Sequence, residues 1–200
     1  SGFGLLTALD PASGKEIWQQ NLRATGTGSP TVMGDLVYLV AGDEVAWAID
    51  VNDGRIRWRL GATPDIHNVQ GGPAPAITDE FAIFAFGSGE VQGAFRNGGM
   101  RLWDAHIAGQ RGGYAAGRIR DITGDPVVQG NQIFIGNHAG RTVALDLDNG
   151  KRQWTLDHGA INAVWPAGGS IFMVTERNQH LRVSAKDGQV IWAENLPFFN

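Results

Sequence analysis

Five histidines are the side chains of this sequence that are best suited to binding a metal or moving a proton: His67, His106, His138, His158 and His180. No two of them have the i, i+4 spacing that places two ligands on one helix face. The segment 146–150 (Asp-Leu-Asp-Asn-Gly) is similar to the start of a calcium loop, but it lacks the later ligands and the distal Glu. We therefore expect no metal site.

The sequence also lacks the residues and motifs that commonly support nucleophilic catalysis or cofactor binding. The chain has no Cys, which excludes a thiolate nucleophile, a disulfide and a thiolate metal site. It contains no Gly-x-Ser-x-Gly elbow and no Gly-x-Gly-x-x-Gly phosphate loop. The sequence thus predicts no catalytic residue, no cofactor and no enzyme.

Composition excludes two further classes of function. The formal net charge is −4, and the 16 Lys and Arg residues form no basic run, so nucleic-acid binding is not expected. With 42% hydrophobic and 18% charged residues, the chain has the composition of a folded globular protein. No apolar run approaches the 18 or more residues of a membrane-spanning helix.

The strongest pattern is an internal repeat, Gly-x-x-x-Trp, which occurs five times. Its glycines are Gly14, Gly54, Gly99, Gly150 and Gly188. Its tryptophans are Trp18, Trp58, Trp103, Trp154 and Trp192. In three units an Asp lies four residues before the Gly: Asp10, Asp50 and Asp146. A second anchor, a Pro, lies 26 to 28 residues before each of the last four tryptophans.

Each complete unit predicts four short strands. In the second unit, turn residues separate apolar or alternating runs, and Asp53-Gly54 has the composition of a two-residue hairpin turn. Repeats of about 40 residues with four strands are typical of β-propeller blades. We predict an all-β propeller domain over residues 1–200, with repeat units at 1–22, 23–60, 61–107, 108–156 and 157–196.

The first unit begins in its third strand, so the sequence predicts about 4.5 blades. Propellers close with four to eight blades. We expect the chain to be part of a larger ring, with a half-ring that pairs with another chain as the alternative. Open blade faces would then favour self-association.

The Ala-Leu-Asp-x-x-x-Gly-x-x-x-Trp unit resembles the PQQ-type propeller repeat along the whole chain. Three segments carry a sharper likeness: 71–91, 118–128 and 136–146. In order and spacing they resemble the BamB family, the lipoprotein subunit of the outer-membrane β-barrel assembly machinery. That resemblance implies an eight-bladed periplasmic propeller without catalytic activity, with a lipid-bearing Cys upstream of this chain.

The same resemblance implies a partner, the periplasmic domains of BamA, and a function in inserting outer-membrane proteins. The family's BamA-facing positions correspond to Leu145, Leu147 and Asp148. A basic residue is common at the last of these in the family, so Asp148 is a departure. We expect Leu147 to face solvent, because other units carry Pro11, Val51, Arg96 and Ala185 there.

A long connection between Trp103 and Pro126 offers a second contact surface. It is rich in Gly and contains Arg111 and Arg118, and such loops on rigid scaffolds often carry recognition. A solvated excursion is the alternative. For the whole protein, a PQQ-dependent dehydrogenase and a propeller with an unrelated protein partner remain open.

Overall fold

Strands of two to six residues follow one another through the described part of the chain in the computed structural model. The structure describes residues 3–25, 28–62, 72–107, 122, 124–137, 140–160 and 162–197. These residues contain 18 strands and no helix, which confirms the all-β prediction. Consequently none of them forms a helix capable of crossing a membrane.

The strands form one two-stranded and four four-stranded sheets, numbered here in chain order. Sheet 1 contains β1 (Leu5–Leu9) and β2 (Glu16–Asn21). Sheet 2 contains β3 (Thr31–Met33), β4 (Leu36–Ala41), β5 (Val45–Asp50) and β6 (Ile56–Gly61). Sheet 3 contains β7 (Ala76–Ile77), β8 (Phe81–Ala85), β9 (Glu90–Phe95) and β10 (Arg101–His106). Sheet 4 contains β11 (Val127–Gln129), β12 (Gln132–Asn137), β13 (Arg141–Asp146) and β14 (Arg152–Leu156). Sheet 5 contains β15 (Trp165–Ala167), β16 (Ser170–Val174), β17 (Gln179–Ser184) and β18 (Val190–Asn195).

Every sheet is an antiparallel meander of consecutive strands, so its turns alternate between two ends. At one end, the hairpin between the last two strands bonds to the turn between the first two, as when Leu147 N–H donates to Asn131 O. We call this the hairpin end. At the other, the connection end, the segment that leaves the sheet bonds to the turn between its middle strands, as when Ile107 N–H donates to Gly89 O.

Burial follows from stacking of the sheets on one another. The middle strands β4, β5, β8, β9, β12 and β13 are buried almost throughout, because both of their faces are covered. Four apolar cores result, one between each pair of consecutive sheets. This is the arrangement of propeller blades. The predicted boundaries between repeat units and the total of eight blades stay predictions.

Each hairpin contains a β-bulge at the same place. The register of the last two strands shifts once in every sheet, so the residue before each repeated Trp has no partner. In sheet 4, for example, Ala144 pairs with Trp154 and Leu145 with Arg152, which leaves Gln153 unpaired. A bulge redirects the side chains that follow it, and here it re-aims the Trp.

Candidate functional site

Four of the repeated tryptophans tie their own sheet to the next one. The indole N–H of Trp18 donates to Val51 O at 2.7 Å, and that of Trp58 donates to Arg96 O at 3.2 Å. Trp103 donates to Leu147 O at 2.9 Å, and Trp154 donates to Ala185 O at 2.9 Å. We call this contact the Trp latch. It satisfies a buried indole N–H and fixes the hairpin end of each following sheet.

The repeated Gly of the following hairpin receives the indole ring. Gly54, Gly99, Gly150 and Gly188 all have a φ near +70°, which favours glycine. A Cβ added at Gly188 would lie 2.7 Å from Cε3 of Trp154, and a Cβ at Gly150 would collide with the Trp103 ring. The Gly and the Trp of the repeat therefore serve a contact between units.

The repeated Asp closes its own hairpin. Asp10 Oδ1 accepts hydrogen bonds from the backbone N–H of Ala12 and Ser13, at 3.1 and 2.7 Å. Hydrogen bonds from Ser13 hold the pKa of Asp10 below its usual value. Asp50 accepts a bond from Asn52 N–H, and its carboxylate pairs with Arg57 at 2.6 Å. The hydrogen bond from Arg57 lowers the pKa of Asp50.

In the predicted partner-binding hairpin of sheet 4, the two leucines belong to the core. Leu145 is 1% exposed and Leu147 is 6% exposed, within the cluster between sheets 3 and 4. Leu147 also accepts the latch bond of Trp103. The expectation that Leu147 faces solvent is wrong, because the neighbouring sheet covers the hairpin. Burial of both side chains does not fit a partner contact.

The solvent-exposed part of this hairpin is polar. Asp148 and Asn149 are exposed, and their backbone N–H groups donate to Asp146 Oδ1 at 3.1 and 3.2 Å. Lys151 is also exposed, and its N–H donates to Asn149 Oδ1. The side chains of Asp148 and Lys151 therefore present opposite charges at the hairpin end. Among the predicted contact residues of this hairpin, only Asp148 is accessible.

The second predicted surface, with Arg111 and Arg118, lies outside the described residues. Described residues near both ends of this segment, Ile107 and Ile122, lie at the connection end. Ile107 N–H donates to Gly89 O, and Ile122 forms a bridge with Asn137 in the last position of β12. Six-residue strands separate this end from Asp148 by roughly 20 Å.

A buried polar cluster that sequence reasoning missed also lies at the connection end. Glu44, Glu90 and Gln92 are buried between sheets 2 and 3. Ser88 Oγ donates to Glu44 Oε2 at 3.2 Å, and Gln92 Nε2 donates to Glu90 Oε1 at 2.6 Å. The turn between the middle strands has a residue with positive φ, Glu44 at 60° in sheet 2 and Gly89 at 85° in sheet 3. A Glu at a turn position that favours Gly is the sequence signal that could have revealed this cluster.

The histidines do not converge on a metal site in the described part of the chain. Among the described residues, no group of three or more His, Asp or Glu side chains could hold a metal ion. His180 packs against Trp192, with ring centroids 5.1 Å apart, and so has a packing role. His67 and His138 lie outside the described residues.

Comparison with protein families gives one match along nearly the whole chain. The family model described as "Outer membrane protein assembly factor BamB" matches residues 1–194. Relatives with that name come from Moranella endobia, at 25% identity over 96% of this chain and 63% of theirs, and from Yersinia pestis, at 24% over 94% and 48%. The Escherichia coli protein is 23% identical over 96% of this chain and 62% of its own. The chain thus spans about half to three-fifths of these relatives.

Solved structures show the same fold. BamB from Moraxella catarrhalis superimposes with a TM-score of 0.86 at 17% identity, covering 98% of this chain and 59% of that one. A europium-containing methanol dehydrogenase superimposes with a TM-score of 0.76 at 15% identity, covering 97% and 48%. At these identities the likeness establishes the fold alone.

Proposed function

The chain belongs to the outer membrane protein assembly factor BamB family, and from this premise we propose that it is a non-catalytic scaffold in outer-membrane protein assembly. The observation that carries the proposal is the family match over residues 1–194. We place the protein in the periplasm, associated with the outer membrane. Its proposed partner is the soluble periplasmic region of BamA.

The geometry supports a scaffold. Four Trp latches link five sheets in sequence, so that the turns at both ends of the stack are fixed relative to one another. Loops and turns on a rigid framework are where binding residues concentrate. A latched stack presents several such turns to a protein partner without the ordering cost that a mobile segment pays.

We propose Asp148 as a contact residue at the hairpin end. It is exposed, and its side chain is not part of the Asp146 cap, which uses only its backbone N–H. Rim charges act mainly through the association rate and the salt dependence of binding. Arg111 and Arg118 are the proposed contacts of the second surface.

Binding titrations with BamA periplasmic domains test the partner and the hairpin surface. Asp148→Arg is compared with Asp43→Arg, which makes the same change of charge at an exposed turn of the connection end. We expect Asp148→Arg alone to change the affinity, by threefold or more, with unchanged thermal stability. Absence of binding by the unmodified chain would refute BamA as the partner, whereas equal effects of both substitutions would refute the hairpin assignment.

The absence of catalysis has its own test, since quinoprotein dehydrogenases share this fold. The chain has no Cys to supply the vicinal pair that packs on PQQ in that family. After incubation with PQQ and Ca²⁺ followed by gel filtration, we expect no quinone absorbance in the protein fraction. Stoichiometric retention of PQQ would favour the dehydrogenase alternative.

A further inference from the structure

Two Asn-Gly pairs occur in the sequence, and both lie in repeat hairpins at the hairpin end. Asn97-Gly98 belongs to the hairpin between β9 and β10, and Asn149-Gly150 belongs to the hairpin between β13 and β14. The backbone nitrogen that follows an Asn can attack its side-chain carbonyl carbon, and glycine obstructs this approach least because it has no Cβ. The two pairs therefore place the same reactive groups in two different hydrogen-bonding environments.

In the hairpin of sheet 4, the reactive groups are held. Gly150 N–H donates to Asp146 O at 2.9 Å, so the nitrogen that follows Asn149 is engaged. The side-chain oxygen of Asn149 accepts a hydrogen bond from Lys151 N–H, also at 2.9 Å. Attack of this nitrogen on this side chain would break both hydrogen bonds.

In the hairpin of sheet 3, the Asn lies one position earlier in the turn. Gly99 N–H donates to Phe95 O at 3.1 Å, as the equivalent glycine does in sheet 4. The nitrogen that follows Asn97, however, is that of Gly98. Among the described residues, Gly98 N–H has no hydrogen-bond acceptor, and the Asn97 side chain has no hydrogen-bond partner. Neither reactive group is held.

The free nitrogen follows from the missing Asp of the third unit, where Phe95 occupies its position. The N–H that corresponds to that of Gly98 has an acceptor in two other hairpins. In sheet 4 it belongs to Asn149 and donates to the repeated Asp at 3.2 Å, and in sheet 1 Ser13 N–H donates to Asp10 Oδ1 at 2.7 Å. Gly98 and the Asn before it are also exposed, so water reaches them.

We propose that Asn97 is a site of spontaneous deamidation through a succinimide, and that the fold protects Asn149 from this reaction. The Gly98 nitrogen loses its proton and bonds to Asn97 Cγ, while the Cγ–Nδ2 bond breaks and the amide group leaves with that proton as ammonia. Water then opens the ring at either of its two carbonyl carbons, which yields aspartate or isoaspartate at position 97. The inference does not depend on the proposed function, because it rests only on the two hairpins.

The reaction takes place beside a Trp latch. Trp58 Nε1 donates to Arg96 O at 3.2 Å, and a Cβ added at Gly99 would collide with the Trp58 ring. Isoaspartate introduces an additional carbon atom into the backbone between these two contact residues, whereas both products add one negative charge at an exposed turn. We therefore expect isoaspartate, and not the charge, to loosen the contact between sheets 2 and 3.

The experiment follows both Asn-Gly pairs in the whole chain by peptide mass spectrometry during incubation at mildly alkaline pH. Digestion with pepsin at low pH stops the reaction and separates the two pairs. In the folded chain we expect Asn97 to deamidate at least tenfold faster than Asn149, whereas in guanidinium chloride the two rates should agree within threefold. Equal rates in the folded chain, or a tenfold difference that persists in the denaturant, would overturn the proposal.

Variants at Phe95 test the missing acceptor. Phe95→Asp supplies a carboxylate to Gly98 N–H and is expected to slow the deamidation of Asn97 at least fivefold. Phe95→Ala is the matched control, because it removes the same ring, which stacks on Phe81 with centroids 6.0 Å apart, without supplying an acceptor. Thermal melting shows that both variants are folded. Equal rates in the two variants would overturn the free nitrogen as the cause.

A last arm separates the two products by their effect on the latch. Asn97→Asp carries the additional charge without the additional backbone carbon, and it should melt at the same temperature as the unmodified chain. The incubated chain, which contains isoaspartate, should melt at a lower temperature than both. A lower melting temperature in Asn97→Asp as well would assign the effect to charge and overturn the proposed effect of isoaspartate.

Discussion

The third and fifth sheets carry the same Gly-x-x-x-Trp unit but use it differently. Trp103 in sheet 3 is 8% exposed, donates to Leu147 O and covers Gly150 in sheet 4. Trp192 in sheet 5 is only half-buried, packs against Phe172 and His180, and has no indole acceptor in the described part of the chain. Among the described residues, the repeated Trp thus ties its sheet to a neighbour where a following hairpin accepts its indole N–H, and packs within its own sheet at Trp192.

The cross-strand partner of each Trp shows the same difference. Trp103 pairs with Gly93, where a Cβ would collide with the ring, and Trp154 pairs with Ala144. Trp192 pairs with Arg182, whose guanidinium lies over the Phe172 ring instead. Gly93 and Ala144 leave room for the rings of Trp103 and Trp154, whereas the Trp192 ring lies beside longer side chains.

The largest expected effect is on the interior latch itself. Trp103→Ala should lower the free energy of unfolding by about 3–5 kcal/mol, because it removes a large core side chain and leaves a cavity. Trp192→Ala should cost only about 1–2 kcal/mol, since a half-buried ring gives up less transfer free energy. Urea unfolding of both variants measures the difference. Equal losses would contradict the distinction between interior and terminal units.

Leu147 provides the next test. Leu147→Asp should destabilise the chain by about 2–4 kcal/mol, because it introduces a charge into the core between sheets 3 and 4. The equivalent residue in the first hairpin is the exposed Pro11, and Pro11→Asp should cost less than about 1 kcal/mol. Thermal melting of the two variants decides. A Leu147→Asp variant as stable as the unmodified chain would show that this residue is not part of the core.

Leu147 also shows where sequence reasoning ends. The period of the repeat predicted the strands and the hairpins, because each is specified within about 40 residues. The burial of Leu147 depends on Trp103, 44 residues away in the preceding sheet. A comparison of this position across the hairpins hides the burial of Leu147. Pro11 occupies the same position in the first hairpin, but no preceding unit lies against it among the described residues.

The Arg-bearing connection around Arg111 and Arg118 stays a prediction, because these residues lie outside the part of the chain that the structure describes.

Two hairpin glycines sharpen the comparison at smaller cost. Gly150 and Gly14 have the same positive φ, 69° and 68°, but an added Cβ meets the Trp103 ring at Gly150 and nothing within 4 Å at Gly14. Gly14→Ala should therefore cost about 1 kcal/mol, for the left-handed backbone alone. Gly150→Ala should cost about 2–3 kcal/mol, because overpacking is added. Equal losses in chemical denaturation would show that the latch tolerates a methyl group.

The smallest effect concerns the hairpin carboxylates at acid pH. The Arg57 hydrogen bond lowers the pKa of Asp50, and hydrogen bonds from Ser13 lower that of Asp10. A carboxyl whose pKa is lower in the folded state stabilises the fold above its unfolded pKa, near 3.9, and this contribution is lost as the pH falls through the folded value. Stability measured between pH 6 and 2 should therefore fall less steeply in Asp50→Asn than in the unmodified chain, with little change in slope above about pH 5. We expect the stability of Asp10→Asn also to fall less steeply with decreasing pH. Comparing the two variants shows whether the hairpin of sheet 2 depends more on its carboxylate than the hairpin of sheet 1 does. An unchanged acid slope in Asp50→Asn would mean that the pair with Arg57 does not contribute to folding.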